Sequence, residues 1–310
     1  MIKELTFYDK IIFIIPLLQS IYENIFESER MVNPMTISSI TTSKGDLRYA
    51  ECCSGPRILI MLPGVSVTSV LDSAAAVEKA YQSFDGKYTI YLFEYPREYP
   101  DGEGITYIAD ILAEAIHMLN LKNCYLLGAS FGGMVGQVLL AEHPELFVSA
   151  VLASTIAQLT EVSPKTISRW NTIASNKDVR TLNLAFYDAV YSDEYQIKFA
   201  EPIRKILENG NEKDCLIMAI HTEMILQADL RSYDKKIKTP TLVVGATNDH
   251  VFSYKDVSEV ANLIGCKSFF YDGSSHAVFD EEQDFKKRVL EHYDTSVDYI
   301  YLYNTLEDKI

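Results

Sequence analysis

The chain has 310 residues, 48% of them hydrophobic and 23% charged, a composition that excludes a disordered or fibrous protein. Its net charge of −15 argues against nucleic acid or an anionic membrane surface as a partner, because phosphate contacts need clustered Lys and Arg. Five cysteines, Cys52, Cys53, Cys124, Cys215 and Cys266, show neither CxxC nor framework spacing and fit reduced thiols in a cytoplasm.

No segment approaches the roughly 20 apolar residues of a membrane span. Residues 1–34 read as a helical extension, with Ile11, Ile15, Leu18, Tyr22 and Ile25 at helical spacing and Pro16 as a kink. Glu4 and Asp9 and the lack of a small-residue cleavage site argue against a signal peptide. The apolar face of this extension would pack on the body or make a homo-oligomer with a second copy.

Three strands are expected next, Thr36–Thr42, Leu47–Cys53 and the continuous apolar run RILIML at Arg57–Leu62. Pro63-Gly64-Val65-Ser66 follows that run, and a glycine there lets backbone approach a ligand. Helical periodicity over Val67–Phe84, the strand Tyr88–Phe93 and an amphipathic helix over Ile105–Leu119 come next. Then come the apolar run at Cys124, a helix ended by Pro144, and the strand Phe147–Leu152. This alternation predicts an α/β fold, a mostly parallel doubly wound sheet. It breaks at Ala153. Residues 155–236 read as helices, Asp178–Tyr191, Glu194–Leu207 and Glu212–Gln227 among them, and a helical insertion of this size reads as a cap or lid. The sheet resumes with Thr241–Val244, helix Tyr254–Ile264, strand Lys267–Tyr271 and helix Glu281–Tyr293, before an acidic and aromatic tail at 296–310. The core therefore comprises residues 35–154 and 237–295.

The chemistry concentrates at strand ends. Gly128-Ala129-Ser130-Phe131-Gly132-Gly133 places G-x-S-x-G between a buried strand and a helix. A serine on so sharp a turn has strained backbone angles, and glycines on either side remove the side chains that would crowd it. Asp249 follows TLVV within Gly245-Ala246-Thr247-Asn248-Asp249, and His276 follows the last strand within Gly273-Ser274-Ser275-His276. Asp249-His250 could equally cap a helix, and His276 could equally sit in a simple turn. Loops at the carboxyl ends of parallel strands converge in one crevice, so Ser130, Asp249 and His276 should meet there. Serine needs a base, histidine has a pKa suited to that task, and a carboxylate fixes its tautomer.

This arrangement resembles the α/β-hydrolase superfamily over about residues 36–295. The resemblance implies a nucleophile at Ser130, an acid at Asp249 and a base at His276. It also implies an oxyanion hole built from the backbone N–H groups of Val65 and Phe131. Many relatives carry His-Gly where this chain has Pro63-Gly64, so a side chain that braces the loop is missing. The serine excludes the branches with an Asp nucleophile. The implied activity is hydrolysis of a small ester, thioester or related acyl compound. Acyl transfer, C–C hydrolysis and iminopeptidase chemistry use the same three residues, and a non-catalytic binding or scaffold protein keeps the same fold. A thioesterase acting on a carrier-bound chain would want a basic docking patch. Gly64, Met134, Trp170 and His250 are candidate substrate-pocket residues. No cofactor is implied, and no His, Cys and carboxylate cluster stands at metal-ligand spacing.

Overall fold

The computed structural model describes residues 35–307 except 101, 162–164 and 201–209, with side chains described to residue 296. The expected N-terminal extension over 1–34 and the helix start at Ser163-Pro164 lie outside the described residues.

Eight strands form one sheet: β1 (Thr36–Thr42), β2 (Gly45–Cys52), β3 (Arg57–Leu62), β4 (Tyr88–Phe93), β5 (Cys124–Ala129), β6 (Phe147–Ala153), β7 (Thr241–Ala246) and β8 (Lys267–Tyr271). Their order across the sheet is β1-β2-β4-β3-β5-β6-β7-β8. β1 and β2 make an antiparallel hairpin, β2 joins β4 antiparallel, and all pairings from β4 to β8 are parallel.

The central strands are apolar throughout because both faces are covered. Along β5, Leu126 packs into one core cluster, whereas its neighbours Tyr125 and Leu127 pack into the other. The first cluster takes up helices α2 (Ile105–Met118), α3 (Phe131–Glu142) and α9 (Tyr254–Ile264) through residues such as Ile111, Val135 and Val260. The second takes up α1 (Ala74–Ala80) and α11 (Phe285–Glu307) through Ala74, Phe285, Val289 and Tyr293. Local signals set α9. The Ser253 side chain caps its first turn, and Gly265 ends it in the left-handed region at φ 75°.

Between β6 and β7 the described residues contain α4 (Thr166–Ser175), α5 (Val179–Val190), α6 (Asp193–Lys198), α7 (Glu212–Gln227) and α8 (Arg231–Asp234). An isolated antiparallel bridge, Gln158 with Asp229, closes the base of the insertion. Trp170 Nε1 donates to the Ala185 carbonyl at 3.1 Å, tying α4 to α5. Arg97 Nη2 donates to Asp214 Oδ1 at 2.5 Å, tying α7 to the loop after β4.

Two expectations change. The helix expected over Val67–Phe84 breaks into a 3₁₀ turn at Val70–Ser73, α1, and a second 3₁₀ turn at Gln82–Phe84. Ser69 Oγ accepts from Leu71 N, a local bond that competes with a continuous helix. The last helix begins at Phe285, since Val278–Glu281 forms its own short helix α10, and it continues to Glu307 through the expected tail. Up to residue 296 the helix is bonded to the sheet: Tyr293 Oη donates to the Leu126 carbonyl at 2.6 Å, and Ser149 Oγ donates to Ser296 Oγ at 3.0 Å. Among the described residues no helix is long and apolar enough to cross a membrane.

Candidate active site

Ser130 sits between β5 and α3 at φ 52° and ψ −118°, in the left-handed half of backbone space. A non-glycine residue is held there only where its surroundings dictate it. Ser130 N donates to the Ala153 carbonyl at 2.8 Å, and the Ser130 carbonyl accepts from Thr155 Oγ1 at 2.8 Å. The flanking glycines are required by close approach. A Cβ on Gly128 would lie 2.6 Å from the Gly132 carbonyl oxygen, and one on Gly132 would lie 2.2 Å from that of Leu62. The turn therefore presses directly against the end of β3 and the loop Pro63–Val65.

That loop lies beside the serine: a Cβ on Gly64 would stand 3.6 Å from Ser130 Oγ. Tyr95, buried and packed edge-to-face with Phe131, donates from Oη to the Pro63 carbonyl at 2.6 Å. Tyr95 thus braces from the neighbouring loop what a histidine in the sequence of the loop would brace. The residue lies two positions beyond β4, and nothing in the local pattern marks its target.

Asp249 and His276 meet from the loops after β7 and β8. His276 Nδ1 donates to Asp249 Oδ2 at 2.7 Å, with both side chains nearly or fully buried. The other carboxylate oxygen accepts from Val251 N at 2.7 Å and Phe252 N at 3.0 Å. These bonds fix the carboxylate and leave His276 Nε2 as the ring's other nitrogen. The His276 backbone is held as well, its carbonyl accepting from Ser154 Oγ at 2.7 Å. On either side, Ser275 Oγ and Ala277 N both donate to the Val190 carbonyl, at 3.0 and 3.1 Å. The histidine loop is thereby fastened to the end of α5.

Ser130 and His276 both line a cavity of about 260 Å³. Its other walls are mostly apolar and aromatic, including Val67, Val70, Tyr81, Phe186, Tyr187, Val190 and Phe279. Gly64, Val65 and Trp170 are in this lining, so the inserted helices form part of the wall. Two candidate pocket residues lie elsewhere. Met134 is fully buried in the core on α3, whose first turn turns it away from the cavity toward other core side chains. His250 is exposed, with Nε2 at 3.4 Å from Asn248 Oδ1, because the loop after β7 points Asp249 inward and its neighbour outward. Phe131 is likewise buried outside the lining, stacked on His221 at 5.0 Å between ring centroids. Burial, reinforced by the nearby Arg97 charge, lowers the His221 pKa to about 3, and Tyr99 Oη is hydrogen-bonded to its Nε2 at 2.7 Å.

One further cluster forms that spacing along the chain conceals. His117 near the end of α2, His143 just beyond α3, and Glu145 bring possible ligand atoms within 4.8 Å of one another at the surface. Tertiary packing of two helix ends joins residues 26 positions apart, and none of the three lines the cavity.

The model of the alpha/beta hydrolase fold family matches residues 93–283. RutD of Serratia proteamaculans (strain 568), named as a proposed carbamate hydrolase, is 23% identical over 190 residues, covering 59% of this chain and 70% of that protein. The crystal structure of the enol-lactonase from Burkholderia xenovorans LB400 superposes with a TM-score of 0.70 at 20% identity, covering 83% of this chain and all of that one. An esterase from Exiguobacterium antarcticum gives a TM-score of 0.69 at 17% identity, covering 83% and 99%. At these identities the structural likenesses establish the fold, and the family model covers more than half of the chain. With its mostly parallel sheet, its serine at the strand-to-helix turn and its helical insertion, this chain is a hydrolase belonging to the alpha/beta hydrolase fold family.

Proposed function

We propose that the protein is a serine hydrolase that cleaves a small ester, thioester or related acyl compound through Ser130, His276 and Asp249. The observation that carries this reading is the shared cavity: Ser130 and His276 open into one apolar space, with Asp249 bonded to the far nitrogen of the imidazole. In the proposed reaction, His276 Nε2 takes the Ser130 hydroxyl proton as the oxygen attacks the carbonyl carbon. The N–H groups of Val65 and Phe131 receive the negative oxygen of the tetrahedral intermediate. His276 then hands its proton to the leaving group. Water enters, gives a proton to His276 and adds to the acyl carbon; the bond from that carbon to Ser130 Oγ then breaks, Ser130 takes the proton back from His276, and the acid product departs. Asp249 holds the ring in one tautomer and stabilises the imidazolium.

Residues 155–236 act in this reading as a cap that excludes water and shapes the acyl site. The apolar lining supports it, and so do the compounds in the names of similar proteins, a carbamate and an enol-lactone, which are acyl compounds with a heteroatom on the carbonyl carbon. We place the protein in the cytoplasm, a reading supported by five free thiols.

Intact-mass labelling with a fluorophosphonate tests the proposal. A single adduct on the wild type, absent from Ser130→Ala, is expected, together with a loss of ester hydrolysis on the order of 10⁶-fold in that variant. No adduct on the folded wild type would overturn catalysis and favour a binding protein on the same fold.

A further inference from the structure

One end of the cavity carries chemistry that the proposed acyl-transfer steps leave unused. Among the described lining residues Asp280 supplies the single carboxylate, and no Lys or Arg lines the space. Asp280 lies on α10, four residues beyond His276. It is exposed by surface area, yet protein surrounds it and burial raises its carboxyl pKa. A side chain whose free surface faces into the cavity while its flanks pack on protein has both properties.

The groups around this carboxylate give it one hydrogen bond and the field of one cation, Lys286, without a close ion pair among the described residues. Tyr191 Oη donates to Asp280 Oδ2 at 3.0 Å. Tyr81, Tyr187 and Tyr195 stand near enough for its charge to act on their hydroxyls. Glu281, next in the chain, is held by Ser192 N and Oγ. Lys286 is the nearby cation, but its Nζ donates to the Phe279 carbonyl and sits 5.3 Å from the centroid of the Tyr81 ring. Among the described residues Asp280 makes no ion pair within 4.0 Å.

Aromatic faces complete the picture. Tyr81, Tyr187 and Tyr191 line the cavity with Asp280, and the Tyr187 and Tyr191 rings stack at 5.5 Å and 18°. A carboxylate in an apolar space is costly until a cation reaches it, and tyrosine rings attract cations through their π faces. We propose that the cavity selects acyl compounds carrying an organic ammonium group, with Asp280 as its counter-ion and Tyr81, Tyr187 and Tyr191 packed around it. The proposal rests on the serine hydrolase reading for the position of the carbonyl at Ser130, and the cation site itself stands on the lining alone.

Two esters of one shape separate charge from bulk: ethyl 4-(trimethylammonio)butyrate and ethyl 5,5-dimethylhexanoate. Calorimetric binding to full-length Ser130→Ala, which cannot turn them over, reads the preference without catalysis. At least about tenfold tighter binding of the cationic ester is expected, as desolvated charge attraction and cation–π contacts of this kind deliver. Ser130→Ala/Asp280→Asn should bind the two within about threefold of each other, and Asp280→Glu in the same background should recover part of the preference. Binding of the neutral ester reports an intact cavity in every variant. Equal binding of the two esters by Ser130→Ala, or a preference that survives Asp280→Asn, overturns the cation site. A preference that holds while the fluorophosphonate fails to label the wild type overturns the hydrolase reading and retains the cation site.

Discussion

Gly132→Ala measures how tightly the serine turn is packed against the loop before it. The new Cβ would fall 2.2 Å from the Leu62 carbonyl oxygen and 2.5 Å from that of Pro63. Real Cβ contacts begin at 3.0 Å, so the backbone must open by about 0.8 Å. Leu62 is paired in the sheet opposite Gly128 and yields least, so the turn at Ser130 must back away from it and the adjoining Pro63–Val65 must shift with the Pro63 carbonyl. That loop carries the proposed oxyanion donor at Val65, and a displacement near 1 Å in such a site costs on the order of 10² in kcat. Overpacking adds about 1–3 kcal/mol of destabilisation. Gly136→Ala is the internal comparison. Its Cβ meets the Leu126 and Leu152 Cδ2 methyls at 3.0 and 3.3 Å, side-chain atoms that can turn away, so stability should fall modestly and the labelling rate should hold. The assay pairs the fluorophosphonate labelling rate with a urea melt for each variant. A Gly132→Ala enzyme that labels within twofold of the wild type would refute the claim that this contact positions the loop.

Two further outcomes are expected. Asp234, fully buried with neither carboxylate oxygen hydrogen-bonded among the described residues, has its pKa raised to about 8 by burial first and by Glu259 second. Its folded pKa exceeds the unfolded value, so its contribution to stability is fully present below about pH 4 and is lost as pH rises toward 8, a cost of at most about 4 kcal/mol at pH 7. Asp234→Asn should flatten the fall in Tm between pH 5 and 8, and identical slopes in melts across that range would disprove the assignment. Tyr95→Phe removes the donor to the Pro63 carbonyl and should cost about 1–3 kcal/mol in a urea melt. It should slow fluorophosphonate labelling several-fold, and an unchanged labelling rate would show that the loop needs no brace.

Much of the frame is written in short stretches of the chain. Apolar runs such as RILIML and YTIYLF are continuous because both faces of a central strand are buried, and this constraint is local. The G-x-S-x-G at Ser130, with glycines where the backbone leaves no room for a Cβ, is local for the same reason. Asp249 and His276 are legible as candidates because each lies in the loop after a parallel strand. Other features depend on partners remote in sequence. Helix α11 is tied to the sheet through Tyr293 and Ser296, whose partners lie some 150 residues away in the chain. Met134 and His250 stand near the serine and the aspartate in sequence, yet face away from the cavity. Asp280 lines it, four residues beyond His276 on a short helix that follows the loop bonded to the Val190 carbonyl. Sequence by itself determined which residues are buried in strands and where the turn at Ser130 must form, since sterics and hydrophobic periodicity act between near neighbours. Only the tertiary structure decided which side chains share the cavity, because that depends on how an insertion between β6 and β7 docks against loops supplied by every part of the sheet.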